Sequence, residues 1–133
     1  MRRKRLPLPS AALPGIQQGL LTIPPHDVAG ADPPGVPRPP RSTRSYYLQR
    51  GKVTLVLYGT RDTVGDARAA LEPLLAQSEW KPVEAATAAP SAGDVSPGRL
   101  WRSVYFRQGA VLQVAMYHTR DITSIDYTLQ ASP

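Results

Sequence analysis

Two histidines, His26 and His118, are the side chains of this 133-residue chain whose ordinary titration suits acid–base work near neutrality. His118 stands three residues before Asp121, an arrangement in which a carboxylate can orient a base. No nucleophile or oxyanion element is arranged around that pair, and His26 sits beside Asp27 in a proline-rich stretch. Asp62, Asp66, Asp121 and Asp126 fall at expected caps, turns and strand exteriors, with no pair spaced as the acid and nucleophile of a hydrolase. The chain has no cysteine, which excludes disulfides, thiolate metal ligands and cysteine nucleophiles. Nor does it hold a glycine-rich phosphate loop. These residue types predict a non-enzymatic domain with no catalytic residue, no metal site and no cofactor.

Aromatic and basic residues offer a second chemistry. Trp101, Tyr105 and Tyr117, joined by Tyr58, are expected on the sheet face away from the helix, with Arg107 and Lys52 at its rim. Exposed rings beside cations stack bases and pair phosphates, which is how single-stranded nucleic acid is held. The same face suits a protein partner or a second copy of the chain. Aromatics also serve strands as ordinary cross-strand neighbours, so a protein partner or homodimer contact leads and nucleic acid is the alternative. Arg2, Arg3, Lys4 and Arg5 form a separate candidate for anion binding through counterion release.

The elements that position these residues begin at Ser42. Ser45–Gln49 and Lys52–Tyr58 read as a hairpin about Arg50-Gly51, with Val53, Leu55 and Leu57 on one face. Thr63 is an N-cap with Asp66 three residues on, and Val64, Ala67, Leu71, Leu74 and Leu75 make one apolar helical stripe. Pro73 inside that stripe predicts a kink. Residues 79–83 are a short edge strand, and 84–98 a flexible loop rich in Ala, Pro, Ser and Gly. Leu100–Phe106 and Ala110–His118 form a hairpin. A three-residue loop, Arg107-Gln108-Gly109, is preferred to a two-residue turn because it gathers Leu100, Val104, Phe106, Ala110, Leu112, Val114 and Met116 on one face, with Arg102 the one misfit, expected to snorkel outward. Ile122–Leu129 is the last strand. The order β-β-α-β-β-β-β predicts an α+β, two-layer sandwich: one kinked helix on a mostly antiparallel sheet.

Residues 1–41 differ in kind. Ten of the 15 prolines lie in residues 1–44, and proline lacks a donor N–H and fixes φ. Those 44 residues carry seven Lys/Arg against two Asp, a net +5, while the rest of the chain holds only +1. The expectation is a disordered basic arm or a targeting segment, ahead of a domain spanning 42–130. The basic start, the weakly apolar Leu6–Ile23 and the small-x-small run Ala29-Gly30-Ala31 have the parts of a signal peptide, although Pro7, Pro9 and Pro14 interrupt its helix. No segment is long and apolar enough to be a transmembrane span. Location is left between export and the cytoplasm.

Val36-Pro37-Arg38-Pro39-Pro40, Leu55-Val56-Leu57-Tyr58 and Leu74-Leu75-Ala76-Gln77-Ser78-Glu79-Trp80 together carry a likeness. The stretch resembles small exported bacterial domains, many of them lipoproteins: a Pro-containing lead, an apolar-Tyr hairpin end, a short helix and a Leu-Leu-x-x-x-Gly-Trp exit. Glu79 stands where that pattern has Gly, and no cysteine is present for lipid attachment. The resemblance implies an envelope location and transfers no catalytic residue.

Overall fold

The computed structural model describes residues 23–83 and 100–131. The basic run Arg2–Arg5 and the 84–98 loop lie outside the described residues. Among the described residues six strands form one antiparallel sheet: β1 (Thr43–Arg50), β2 (Val53–Thr60), β3 (Lys81–Pro82), β4 (Leu100–Arg107), β5 (Ala110–Thr119) and β6 (Ile122–Gln130). Their spatial order is β1-β2-β6-β5-β4-β3. One helix, α1 (Val64–Gln77), joins β2 to β3. The fold is therefore the expected α+β arrangement of a sheet and one helix.

Local chemistry sets the ends of α1. Thr63 is extended and its hydroxyl accepts from the Asp66 amide at 3.1 Å, satisfying one of the free donors of the first turn. At the other end the Trp80 amide donates to the Leu75 carbonyl and the Glu79 amide to that of Ala76. That pair of bonds is a Schellman closure, and it requires a left-handed residue, here Glu79 at φ 68°. The helix runs through Pro73 as one element. Val64, Ala67, Leu71 and Leu75 are its buried stripe.

The β4–β5 turn departs from expectation. Arg107 pairs with Ala110 and Trp101 with Met116, so the connection is the two-residue turn Gln108-Gly109, both at positive φ (51° and 83°). A turn of this kind matches the twist of the flanking strands. It also points Arg102 outward instead of into the core. The helix-facing set becomes Trp101, Ser103 and Tyr105 with Leu112, Val114 and Met116, while Leu100, Val104 and Phe106 turn to the other side. Apolar tally along the two strands favoured the other register; turn geometry and the exclusion of a buried guanidinium decide it.

A second difference concerns the boundary at residue 42. Six strands span about 24 Å and a helix is only about 10 Å wide. The helix lies against β5 and Arg68 reaches the Trp101 ring on β4. On the helix side, the half of the sheet formed by β1, β2 and β6 is covered from Gly30 to Arg38 by a proline-rich strap, residues 23–41, whose start at Ile23 lies on the opposite face. Val36, at 7 % exposure, belongs to the same core cluster as Tyr58, Tyr127 and Leu71. Proline cannot donate to a ladder, but its neighbours' carbonyls can accept. Tyr127 Oη donates to the Pro37 carbonyl (2.7 Å) and Trp80 Nε1 to that of Gly35 (2.9 Å). The folded unit thus takes in residues from Ile23 onward, including the Ala29-Gly30-Ala31 run.

Candidate interaction face

The predicted aromatic platform is not assembled. Tyr105 is buried on the helix side, and burial raises its phenol above the usual value. Trp101 is on the same side, with the Arg68 guanidinium 4.8 Å from its ring centroid. Tyr58 is fully buried, donates to Asp32 Oδ1 at 2.9 Å and packs edge-on against Tyr127. Arg107 also lies on the helix side. It sits 4.8 Å over the Trp80 ring and donates to the carbonyls of Gly35 and Ser78. Only Tyr117 faces away from the helix, and Lys52 is exposed at the β1–β2 turn. The physical reason is the register: one residue of slip moves every side chain of a strand to the opposite face.

His118 does not meet Asp121. Its Nδ1 lies 2.9 Å from Thr123 Oγ1, whose hydroxyl donates to the Asp62 carbonyl at 2.6 Å. With that proton committed, Thr123 can only accept from the ring, so Nδ1 carries the hydrogen. Thr123 is fully buried and offers no nucleophile. Among the described residues no His, Cys, Asp or Glu group is arranged to hold a metal ion. No helix among them is long and apolar enough to cross a membrane.

The strap carries the densest polar network. Arg38 pairs with both Asp27 and Asp32, and Arg44 pairs with Asp32 while its amide donates to Asp27. The Arg38 hydrogen bond, and then that of the Arg44 amide, hold the Asp27 carboxyl well below the usual carboxylate range. Two cations and two anions satisfy one another, and Tyr58 uses a remaining site on Asp32. This closed set fastens the strap and leaves no charge over for a ligand.

What remains open is one end of the sheet face away from the helix. Cross-strand register arranges it in rows. One runs Leu48, Leu55, Thr128, Gln113, Val104; the row beside the hairpin turns runs Arg50, Val53, Gln130, Val111, Phe106, Lys81. Val83 extends the first, since its amide donates to the Val104 carbonyl. The four large hydrophobics that are exposed among the described residues, Leu48, Val53, Val83 and Phe106, all belong to these rows, with Phe106 the most open of them at 48 %. A groove of about 460 Å³ adjoins Phe106, lined by Glu79, Lys81, Arg107 and Gln108.

The other end of the same face is closed. Ile23 lies over Gly59, where a Cβ would come within 3.0 Å of Ile23 Cγ1, and Leu57 and Ser124 are buried. Asp126, between Leu57 and Ala115, accepts from Ser124 Oγ at 2.9 Å. Burial pushes its carboxyl up to about 6, against the lowering effect of that bond. Periodicity had marked Val53, Leu55 and Leu57 as one face; nothing in it told which side the helix and strap would choose. The chain matches no protein-family model, no curated protein and no solved structure.

Proposed function

We propose that this chain is a non-enzymatic binding domain that acts through the open end of its sheet, with helix and strap as support. One observation carries the reading: every exposed large hydrophobic among the described residues lies on the same face of the same sheet. Scattered exposed apolar residues are ordinary, whereas a contiguous apolar group marks a contact surface. Nucleic acid as partner has less support, because Trp101 and Tyr105 face the helix. The envelope location implied by the resemblance belongs to the same proposal. Fractionation with an intact-mass measurement of the native protein tests that part.

Site-specific photo-cross-linking in the native cells tests the contact surface. A photoreactive residue at Phe106 is expected to give one discrete adduct, and one at Ala69 on the exposed side of the helix none. Adducts from both positions, or from Ala69 alone, would overturn the reading.

A further inference from the structure

The chemistry of the open rows says what kind of partner fits them. Their apolar groups stand on two flanks, Leu48, Val53 and Leu55 on one side and Val104, Val111 and Phe106 on the other. The β6 and β5 positions between them are Gln130, Thr128 and Gln113. A lipid surface would leave those amides and the hydroxyl without hydrogen-bond partners, which costs free energy. A polypeptide can supply both the apolar contacts and the polar ones.

Charge narrows the choice. Arg50 and Lys81 close the two ends of the outer row, with Lys52 at the adjoining turn. Asp126 is the one acid among the described strand residues of this face, and it lies in the closed part. Glu79 stands beside the groove near Lys81. A second copy placed face to face would set these cations against each other, whereas carboxylates on a partner would meet them.

Size narrows it further. Two rows across six strands measure about 24 Å by about 13 Å, roughly 300 Å². A standard stable interface takes about 800 Å² from each partner. The patch therefore suits a short segment and not the flank of a globular protein.

We infer that the open end of the sheet docks an acidic, amphipathic peptide segment of another protein, its apolar side chains against the Val53 and Phe106 flanks and its carboxylates at Arg50 and Lys81. This rests on the reading of the face as a binding surface. The test is an NMR titration of the full ¹⁵N-labelled chain with a synthetic peptide of alternating glutamate and leucine. Its lysine-for-glutamate counterpart and phosphatidylcholine–phosphatidylglycerol vesicles serve as competing probes. The acidic peptide should shift the amides about Val53, Val111 and Phe106. Binding should weaken at least tenfold in a Phe106→Ser, Lys81→Glu double variant with unchanged melting temperature, and should fall with added salt. Equal binding of the lysine peptide, or no shift with the acidic one, overturns the inference. So do shifts produced by vesicles alone, or a concentration-dependent dimer using the same amides. In those last two cases the face remains a binding surface. Shifts confined to helix and strap would defeat the broader reading as well.

Discussion

Glu79 shows how one side chain can sit against the preference of its backbone. The Schellman closure needs a left-handed residue after Ser78, and an L side chain there meets its own carbonyl. Glu79→Gly is expected to raise stability by about 1 kcal/mol, read as a higher urea midpoint with an unchanged slope. Asp126 is a second case. Its folded carboxyl binds a proton more tightly than the unfolded one, since about 6 lies above the unfolded 3.8. The associated stability is fully present below about pH 4 and is lost as pH rises through about 6. Asp126→Asn should therefore stabilise the protein at pH 7.5 by on the order of 2 kcal/mol, and change little at pH 4. Melting curves at the two pH values check the sign. Both acids were visible in the sequence, and so was the mismatch of Glu79 with the glycine of the exit pattern. The burial of Asp126 was not, because it comes from strands that meet only in the sheet.

At the scale of elements the strap replaces a second helix. A chain full of proline can do this because it needs few donors of its own: the Trp80 indole and the Tyr58 and Tyr127 hydroxyls bring theirs to it. Gly35 is left-handed at φ 77° and lies against the Arg107 guanidinium, which a Cβ would have to push aside. Gly35→Ala should cost about 2 kcal/mol from the backbone conformation and that displacement. The loss should appear in chemical denaturation as a single cooperative transition at lower denaturant. Asp27 ties the strap to β1, and its depressed carboxyl contributes stability that is present above about pH 4 and declines as pH falls further. Hydrogen exchange at the Val28 and Arg44 amides should quicken below that pH, while the β5 and β6 amides stay protected. The start of the helix and the order of elements along the chain were legible from capping and periodicity. The strap was not, since composition reports what proline prevents and not what it permits.

Across the whole molecule the two faces of the sheet differ in what they tolerate. Tyr127→Phe removes the hydroxyl that satisfies the Pro37 carbonyl and should destabilise by about 1–2 kcal/mol. Phe106→Ser acts on a half-exposed ring outside the core and should change stability by no more than about 0.5 kcal/mol. Paired unfolding curves of the two variants measure the contrast. A large loss for Phe106→Ser would show that the open rows belong to the fold and not to a contact surface.

Elements whose signals are local were determined by the sequence alone: the Thr63 cap, the apolar stripe of α1, the alternation along the strands and the order β-β-α-β-β-β-β. Each depends on neighbours within one or two turns of chain. Tertiary structure decided three other matters. It chose the β4–β5 register through a two-residue turn that keeps Arg102 out of the core. It set the helix and strap over Val56 and Tyr58 and left Val53 and Phe106 uncovered. It also drew the strap into the fold through contacts such as Gly35 with Trp80 and Pro37 with Tyr127, which lie 45 and 90 residues apart. Contacts of that span leave no periodic mark on a sequence, because they depend on which surfaces remain uncovered once the local elements have paired.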